Sequence, residues 1–343
     1  EEDRHNMFTS LPYLQTIKSV ICSVVLKTSL TNNFLLFDPS IRLVTLLITR
    51  YRGILKAETS VFVSNYFFRI LKKKSPLIFQ RAVFRSIEKL PAPFLAEVFV
   101  NFDCDLDLQE SNIFETLVLS LTQNEHSLVC LSKLVSSLNE WSKEQPNQSD
   151  SVHYEHNRSL KVKYLSAIDE FNSDPIHKLS LLINTGLVED DPKKIAEFFH
   201  SHRKLIDPAA VGLIIGSEKP QMKEIRNQYI DQIDFSQLNI CQSLYHFMSL
   251  FQIPGEAESI DRIVEKFAHS FFQSHPKDFP SADACYGVTF ALIMLHTDAH
   301  NPNVRRHMTK QQFIDNLRYL EACSDIPNET LEEMYDYVVS HEI

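Results

Sequence analysis

Glycine is scarce, at 6 of 343 residues, where ordinary usage of ~7% would supply about 24. That shortage leaves too little punctuation for glycine-rich phosphate loops, dinucleotide-binding folds or turn-dense β-sandwiches. Cations are outnumbered as well: 34 Lys and Arg against 44 Asp and Glu give a net charge of −10. No general nucleic-acid binder is expected from that balance, because phosphate neutralisation needs clustered cations. The 6 cysteines (Cys22, Cys104, Cys130, Cys241, Cys285, Cys323) form no CxxC pair and no short zinc-ligand spacing. Scattered among apolar neighbours, most of them suit free thiols in a reducing compartment. No apolar run approaches the ~18 residues of a bilayer span, and the opening Glu1-Glu2-Asp3-Arg4 is neither a signal nor a transit peptide. With no Met at position 1, the chain is expected to be a piece of a longer protein.

What is present is helical. The 44% of apolar residues suffices for two packed cores at ~150 residues per domain, and the spacing of those residues points to an all-α chain. Leu14, Ile17, Ile21 and Val24 form one face; Ile41, Val44, Ile48, Tyr51 and Leu55 form another; Phe79, Val83, Ile87 and Leu90 form a third. Asp38-Pro39 reads as an N-cap followed by proline at the first helical position, and Pro76 and Pro91-Ala92-Pro93 punctuate later segments. Two helices per roughly 40 residues suggest a repeat layer of the armadillo or HEAT kind. Lys72-Lys73-Lys74 reads as a solvated helix end favoured by the helix dipole. From Lys143 to Tyr154 the chain turns polar, the composition of a linker, which divides an upstream domain over 1–150 from a second over 160–343. In the second, Asp191-Pro192 and Asp207-Pro208 cap helices, and Asp234 or Ser236 is expected to open a long one through Phe251.

Two segments stand out for chemistry. In Phe251-Gln252-Ile253-Pro254-Gly255-Glu256-Ala257, the Pro-Gly pair predicts a tight turn that presents Glu256 at a loop tip or in a first helical turn. Glu256 either satisfies the positive end of that helix or is held out for a partner. Residues 290–302 are apolar on every side and then abruptly polar. Such a helix either buries all its faces as a central core element, or leaves one face (Phe290, Ile293 or Met294, and Thr297) to line a groove for another protein's side chains. His296 and His300 share a helical spacing with zinc-peptidase histidines, but Thr297 stands where the general base would be, so no metal is expected. No nucleophile elbow or triad motif appears. Asp103 and Asp105, taken alone, read as an acidic loop.

These same segments resemble a known family. Phe251 to Ala257 followed by Ile260-Asp261-Arg262, and Ala282-Asp283-Ala284 with Ile293-Met294-Leu295, Thr297-Asp298 and His300-Asn301-Pro302-Asn303-Val304, resemble the two signature motifs of the Sec7 domain. That domain is the exchange module of guanine nucleotide exchange factors for Arf small GTPases. The resemblance runs from about Tyr164 to Ile343 and includes Ala196-Glu197-Phe198-Phe199-His200 and Met308-Thr309. Upstream, Leu55-Lys56-Ala57-Glu58, Val100-Asn101-Phe102-Asp103-Cys104-Asp105, Asn112-Ile113-Phe114-Glu115, Leu134-Val135 and Trp141-Ser142-Lys143 resemble the homology-upstream-of-Sec7 (HUS) region. Together they are similar to the large Golgi exchange factors of the yeast Sec7 and brefeldin-inhibited type, not to the small cytohesins, which lack the upstream region.

The resemblance implies an armadillo/HEAT-like layer followed by an all-helical Sec7 superhelix. It implies that Glu256 is an acidic finger entering the GTPase's nucleotide site, that Phe290, Met294 and Thr297 floor a groove for the GTPase switch regions, and that Asn301 shapes its lip. It makes Asp103 and Asp105 structural or interdomain residues. Phe290, Ala291, Asp298 and Met308 fall at positions associated with brefeldin A; Asp298 and Met308 match the sensitive pattern, whereas Phe290-Ala291 replace its Tyr-Ser. His296 and Ala299 replace the family's usual Asn and Leu. The chain itself is expected to need no cofactor, with Mg²⁺ and GDP or GTP belonging to an Arf-family partner. A cytoplasmic protein held peripherally on Golgi or trans-Golgi membranes is implied, with any dimer formed through regions outside this chain. A helical adaptor that binds a GTPase or coat component without releasing nucleotide is the competing expectation; retention of Glu256 and Asn301 argues against it.

Overall fold

The computed structural model describes residues 11–51, 54–72, 75–108, 112–123, 125–143 and 151–342. The charged opening, Lys73, Lys74 and the polar stretch 144–150 lie outside these residues, as does the side chain of Leu14. Every regular element among the described residues is helical, as the glycine shortage predicts. The chain divides into two compact units, Glu1–Val162 and Lys163–Ile343.

In the first unit, α1 (Leu11–Thr16) passes through a π-helical turn (Ile17–Ile21) into α2 (Cys22–Ser29), and α3 spans Phe34–Arg50. α4 (Lys56–Phe62) runs through a second π turn (Val63–Phe68) into α5 (Arg69–Lys72). After α6 (Leu77–Ile87), α7 (Ala92–Val98) ends in a third π turn (Phe99–Asp103), and α8 (Ile113–Thr122) and α9 (Leu128–Lys143) follow. α3 packs on α2 and α6, and α9 packs on α6, α7 and α8, giving stacked helical layers. Phe37, Ile41, Val44 and Ile48 of α3 and Phe79, Val83 and Ile87 of α6 are buried, with Leu90 just beyond, so the second and third apolar faces read from the sequence do form the core.

Three local expectations are corrected. Pro39 lies inside α3, not at its start: Asn33 is the N-cap and its side chain accepts from the Leu35 amide. Asp38, freed from capping, bridges Arg42 at 2.5 Å and Arg85 at 3.2 Å. The first face also shifts. The π turn adds a residue per turn, which moves Val25 inward and leaves Val24 55% exposed. In the second unit, Asn239 opens the helix expected from Asp234 or Ser236. Its side chain and that of Gln242 form a reciprocal capping box, and the helix ends at Met248 instead of Phe251. Asp234 instead closes a local turn onto the Ser236 amide at 2.9 Å.

α10 (Ser151–Ser173) crosses the division, and the second unit continues with α11 (Pro175–Asn184), α12 (Pro192–Ser201), α13 (Pro208–Gly216), α14 (Pro220–Asp231), α15 (Ile240–Met248), α16 (Ala257–Ser274), α17 (Ala282–His300), α18 (Lys310–Arg318) and α19 (Asn328–Ser340). Asp191 and Asp207 cap α12 and α13 as the Asp-Pro pairs predict, accepting from Lys193 and Ala209 amides. Phe235, Phe247, Phe267 and Phe271 make the aromatic centre of this unit, each fully or almost fully buried. All 6 cysteines are free and buried.

Candidate functional site

The segment 249–256 joins α15 to α16 with its apolar residues inward: Phe251 and Pro254 are buried, while Gly255 and Glu256 are exposed. Glu256 occupies the N-cap position of α16, yet its side chain makes no capping hydrogen bond. The Ser259 hydroxyl donates to its Oε2 at 3.4 Å. The acidic first turn is supplied by Glu258, which pairs with Arg262 at 3.1 Å, so the helix dipole does not require Glu256. Gly255 has an ordinary negative φ and open space around the site of a β-carbon. The bend therefore does not depend on a left-handed glycine.

α17 starts at Ser281, whose hydroxyl accepts from the Ala284 amide. Ala284, Cys285, Gly287, Val288, Thr289, Leu292 and Leu295 are buried where α16, α19 and α15 pack on the helix. The opposite stripe is open: Phe290 is 39% and Met294 53% exposed, and Thr297 is exposed beside them. The alternative of a helix buried on every face is thereby overturned; its hydrophobicity exceeds what its neighbours cover. The Thr297 hydroxyl is bonded to its own helix, at the Ile293 carbonyl, 2.9 Å away. Phe251 and Ile253 of the loop line a small apolar slot together with Ile260 of α16 and Thr289 and Ile293 of α17, so the segment leading to Glu256 packs next to α17.

The remaining expected residues fall at the end of α17. Asn301 is its half-buried C-cap, and its side-chain oxygen accepts from the Asn303 amide at 3.0 Å. Asp298 and Met308 are brought together: the Met308 amide donates to Asp298 Oδ2 at 2.6 Å, and His307 Nδ1 donates to the Asp298 carbonyl at 2.8 Å. Ala291 is half-buried next to Phe290. His296 points away from the open stripe, its ring 5.7 Å from that of Tyr245 and 4.7 Å from that of His300. Burial first, then the neighbouring His300, lowers its pKa. His300 Nε2 donates to the Val338 carbonyl at 2.8 Å, so this histidine pair is engaged in packing. No group of three or more His, Cys, Asp or Glu suited to a metal occurs among the described residues.

An acidic rim went unread in the sequence. Asp261, Glu265, His269, Asp283 and Tyr286 line a surface hollow between α16 and α17. The Tyr286 hydroxyl donates to Asp261, a bond that with burial pushes its pKa up to about 12, and its ring lies 6.2 Å from Phe290. The i, i+4 spacing of Asp261, Glu265 and His269, and of Tyr286 and Phe290, was the available signal.

Asp103 and Asp105 are distant in sequence from this site and do structural work in the first unit. Fully buried Asp103 accepts from the Phe114 and Glu115 amides at 3.0 and 2.8 Å, which caps α8 across an intervening loop. Burial raises its pKa, against the two amide bonds and nearby Lys161. Asp105 pairs with Lys56 at 2.7 Å; burial works to raise its pKa, but Lys56 and the Asp107 amide hold it below the ordinary value. Buried Lys161 donates to the Phe102 carbonyl at 2.5 Å, fastening α10 to the same box.

The second unit is thus an all-helical module with an exposed acid, Glu256, ahead of α16 and an exposed apolar stripe on α17. Family comparison makes this specific: residues 160–343 match the Sec7 domain, and residues 2–113 match the "Mon2/Sec7/BIG1-like, HUS domain". The chain belongs to the Sec7 domain family. Among curated relatives, brefeldin A-inhibited guanine nucleotide-exchange protein 3 of Arabidopsis thaliana is 28% identical over 98% of this chain and 23% of its own length. Brefeldin A-inhibited guanine nucleotide-exchange protein 1 of Homo sapiens is 26% identical over 98% of this chain and 22% of its own. The chain thus spans less than a quarter of the length of these relatives. A solved structure described as ARF1-GDP bound to a Sec7 domain complexed with brefeldin A matches with a TM-score of 0.50 and 28% identity, over 54% of this chain and 94% of that one. No helix among the described residues is long and apolar enough to cross a membrane.

Proposed function

We propose that the chain is the upstream and exchange portion of an Arf-family guanine nucleotide exchange factor, with 1–150 as the upstream helical region and 160–343 as the exchange domain. The observation that carries this reading is the exposed apolar stripe of Phe290 and Met294 on α17, with the loop that ends in exposed Glu256 packed next to the same helix through Phe251, Ile253 and Ile293, in a Sec7 family domain whose structural match is an ARF1-GDP complex. A GTPase docks apolar switch side chains on the stripe, which contributes about 25 cal/mol per Å² buried. Asn301 shapes the lip, and the rim of Asp261, Glu265 and Asp283 attracts cationic groups of the same partner.

Docking brings the Glu256 carboxylate to the nucleotide phosphates. Two like charges about 4 Å apart repel by roughly 4 kcal/mol at an effective dielectric of 20. At about 1.4 kcal/mol per decade, that weakens nucleotide binding by several hundred-fold. The carboxylate then replaces phosphate as counter-ion to the GTPase's phosphate-loop lysine. No covalent bond changes; Mg²⁺ and nucleotide belong to the partner. The protein works on the cytoplasmic side of Golgi membranes, peripherally attached. Asp103 and Asp105 brace the upstream layer and its contacts.

The test is release of fluorescent GDP from a panel of Arf-family GTPases with and without the chain. Acceleration on at least one member is expected. Tight binding without acceleration would mean an adaptor, and neither binding nor release would overturn the reading.

A further inference from the structure

Two of the chain's six glycines sit four residues apart in α13, although glycine is a poor helix former. Pro208, Gly212 and Gly216 recur at i, i+4 and i+8, on one face, and the segment leading to Glu256 lies against that face. The Gln252 amide donates to the Pro208 carbonyl at 3.0 Å. A β-carbon at Gly212 would fall 1.9 Å from the Gln252 carbonyl oxygen. One at Gly216 would fall 2.9 Å from Ser259 Cβ and 3.1 Å from Pro254 Cγ. The first of these obstacles is backbone, which cannot rotate aside as a side-chain end can. Beyond the glycines, Arg262 donates to the Gly216 carbonyl and Arg226 to those of Ile215 and Ser217, each at 3.0 Å. The seat under the loop is therefore anchored at its far end as well. Gly255, at the loop tip, has no such neighbour.

We propose that Gly212 and Gly216 are positioning residues for the Glu256 finger: by lacking side chains they let residues 251–256 rest on the backbone of α13, which sets how far and in which direction Glu256 projects. The inference rests on the exchange reading above. An alanine at 212 must lift the Gln252 backbone by more than 1 Å, from 1.9 Å to beyond the roughly 3.0 Å inside which a β-carbon does not sit against a carbonyl oxygen. Misplacement of a reacting group by that amount costs about a hundredfold in rate. The loss falls on kcat, because docking depends on the α17 stripe, whose residues belong to neither α13 nor the loop.

The experiment measures kcat and KM for Arf GDP release by the wild type, Gly212→Ala, Gly216→Ala, Glu256→Lys and Leu331→Ala, with the amide hydrogen exchange of Gln252 followed in parallel. Leu331 is fully buried in α19 and serves as a stability control. Gly212→Ala should lose about a hundredfold in kcat with KM within about threefold, and Gln252 should lose protection. Leu331→Ala should lower Tm with kcat and Gln252 protection kept. Gly216→Ala needs a shift of only tenths of an ångström and should lose about tenfold; in a Ser259→Gly background, which removes the nearest obstructing carbon, the same change should cost little relative to Ser259→Gly alone, the control for the lost Ser259 bond to Glu256. If Gly212→Ala does not fold, this comparison decides. Wild-type kcat in Gly212→Ala, a loss confined to KM, or a Gly216→Ala loss undiminished in the Ser259→Gly background would overturn the positioning role while Glu256→Lys stays inactive. A wild type that accelerates release from no Arf protein would overturn the exchange reading, and this inference with it.

Discussion

Met294 and Leu295 are chain neighbours on α17 with opposite environments, 53% exposed and fully buried respectively. That contrast separates docking surface from core. Truncating Leu295 to alanine removes atoms from a packed interior and leaves a cavity, costing about 2 to 5 kcal/mol. For a unit of this size, ~2–4 °C of Tm accompany each kcal/mol, so a 3 kcal/mol loss lowers Tm by about 6 to 12 °C. Met294→Ala removes little that is buried in the free protein, and its stability should change by no more than about 0.5 kcal/mol. On docking, however, the open half of a side chain worth about 1.5–3 kcal/mol when fully buried goes unfilled. That is on the order of 1 kcal/mol, or roughly fivefold in kcat/KM, carried mainly by KM. Thermal melting and Arf exchange kinetics on both variants check the assignment. Equal thermal losses with no difference in activity would refute the claim that the stripe is a docking floor and return α17 to an ordinary core role.

Glu256→Lys should abolish exchange with Tm unchanged and leave Arf bound with GDP, since the carboxylate makes no capping bond; a wild-type release rate would end the acidic-finger assignment. Phe290 and Ala291 carry no hydroxyl where the sensitive pattern has Tyr-Ser, so partial brefeldin A resistance is expected. An unpartnered polar group on the drug costs about 1–3 kcal/mol, or roughly ten- to a hundredfold in trapping. Phe290→Tyr with Ala291→Ser should restore inhibition, and superimposable drug titrations of the two forms would refute this. Asp103→Ala should lower stability by about 0.5–2 kcal/mol through loss of the α8 cap, measured by denaturant melting of the first unit. Because burial raises the folded-state pKa of Asp103 above 3.8, the folded form takes up its proton first as pH falls. Wild type should therefore gain stability relative to Asp103→Asn between neutral pH and about 4, and lose that gain as pH rises again; a margin flat across that range would refute the burial account.

Sequence periodicity was a sound guide where each helix has one dry side and conventional hydrogen bonding. Phe79, Val83 and Ile87 pack as their spacing predicts, and the Asp-Pro pairs at 191 and 207 cap as their chemistry predicts. It misled where hydrogen bonding departs from the α pattern. The π turn at Ile17–Ile21 rotates the following face by one residue, placing Val25 inside and Val24 outside. At Pro39 it misled because Asn33 supplies a competing cap one turn earlier.

The chain's own composition and motifs determined an all-helical protein, the location of its two signature segments and the presence of an acid at the Pro-Gly turn, because glycine scarcity, helical spacing and local turn chemistry are short-range properties. Which side of α17 stays open was decided only by tertiary structure. A helix apolar on every side carries no periodic signal, and the packing of α15, α16 and α19 chooses the covered faces. The same holds for Glu256: Glu258 and Arg262 take over the helix end, and glycines about forty residues earlier bring α13 under the loop. Such contacts join residues far apart in the chain, and no local pattern specifies them.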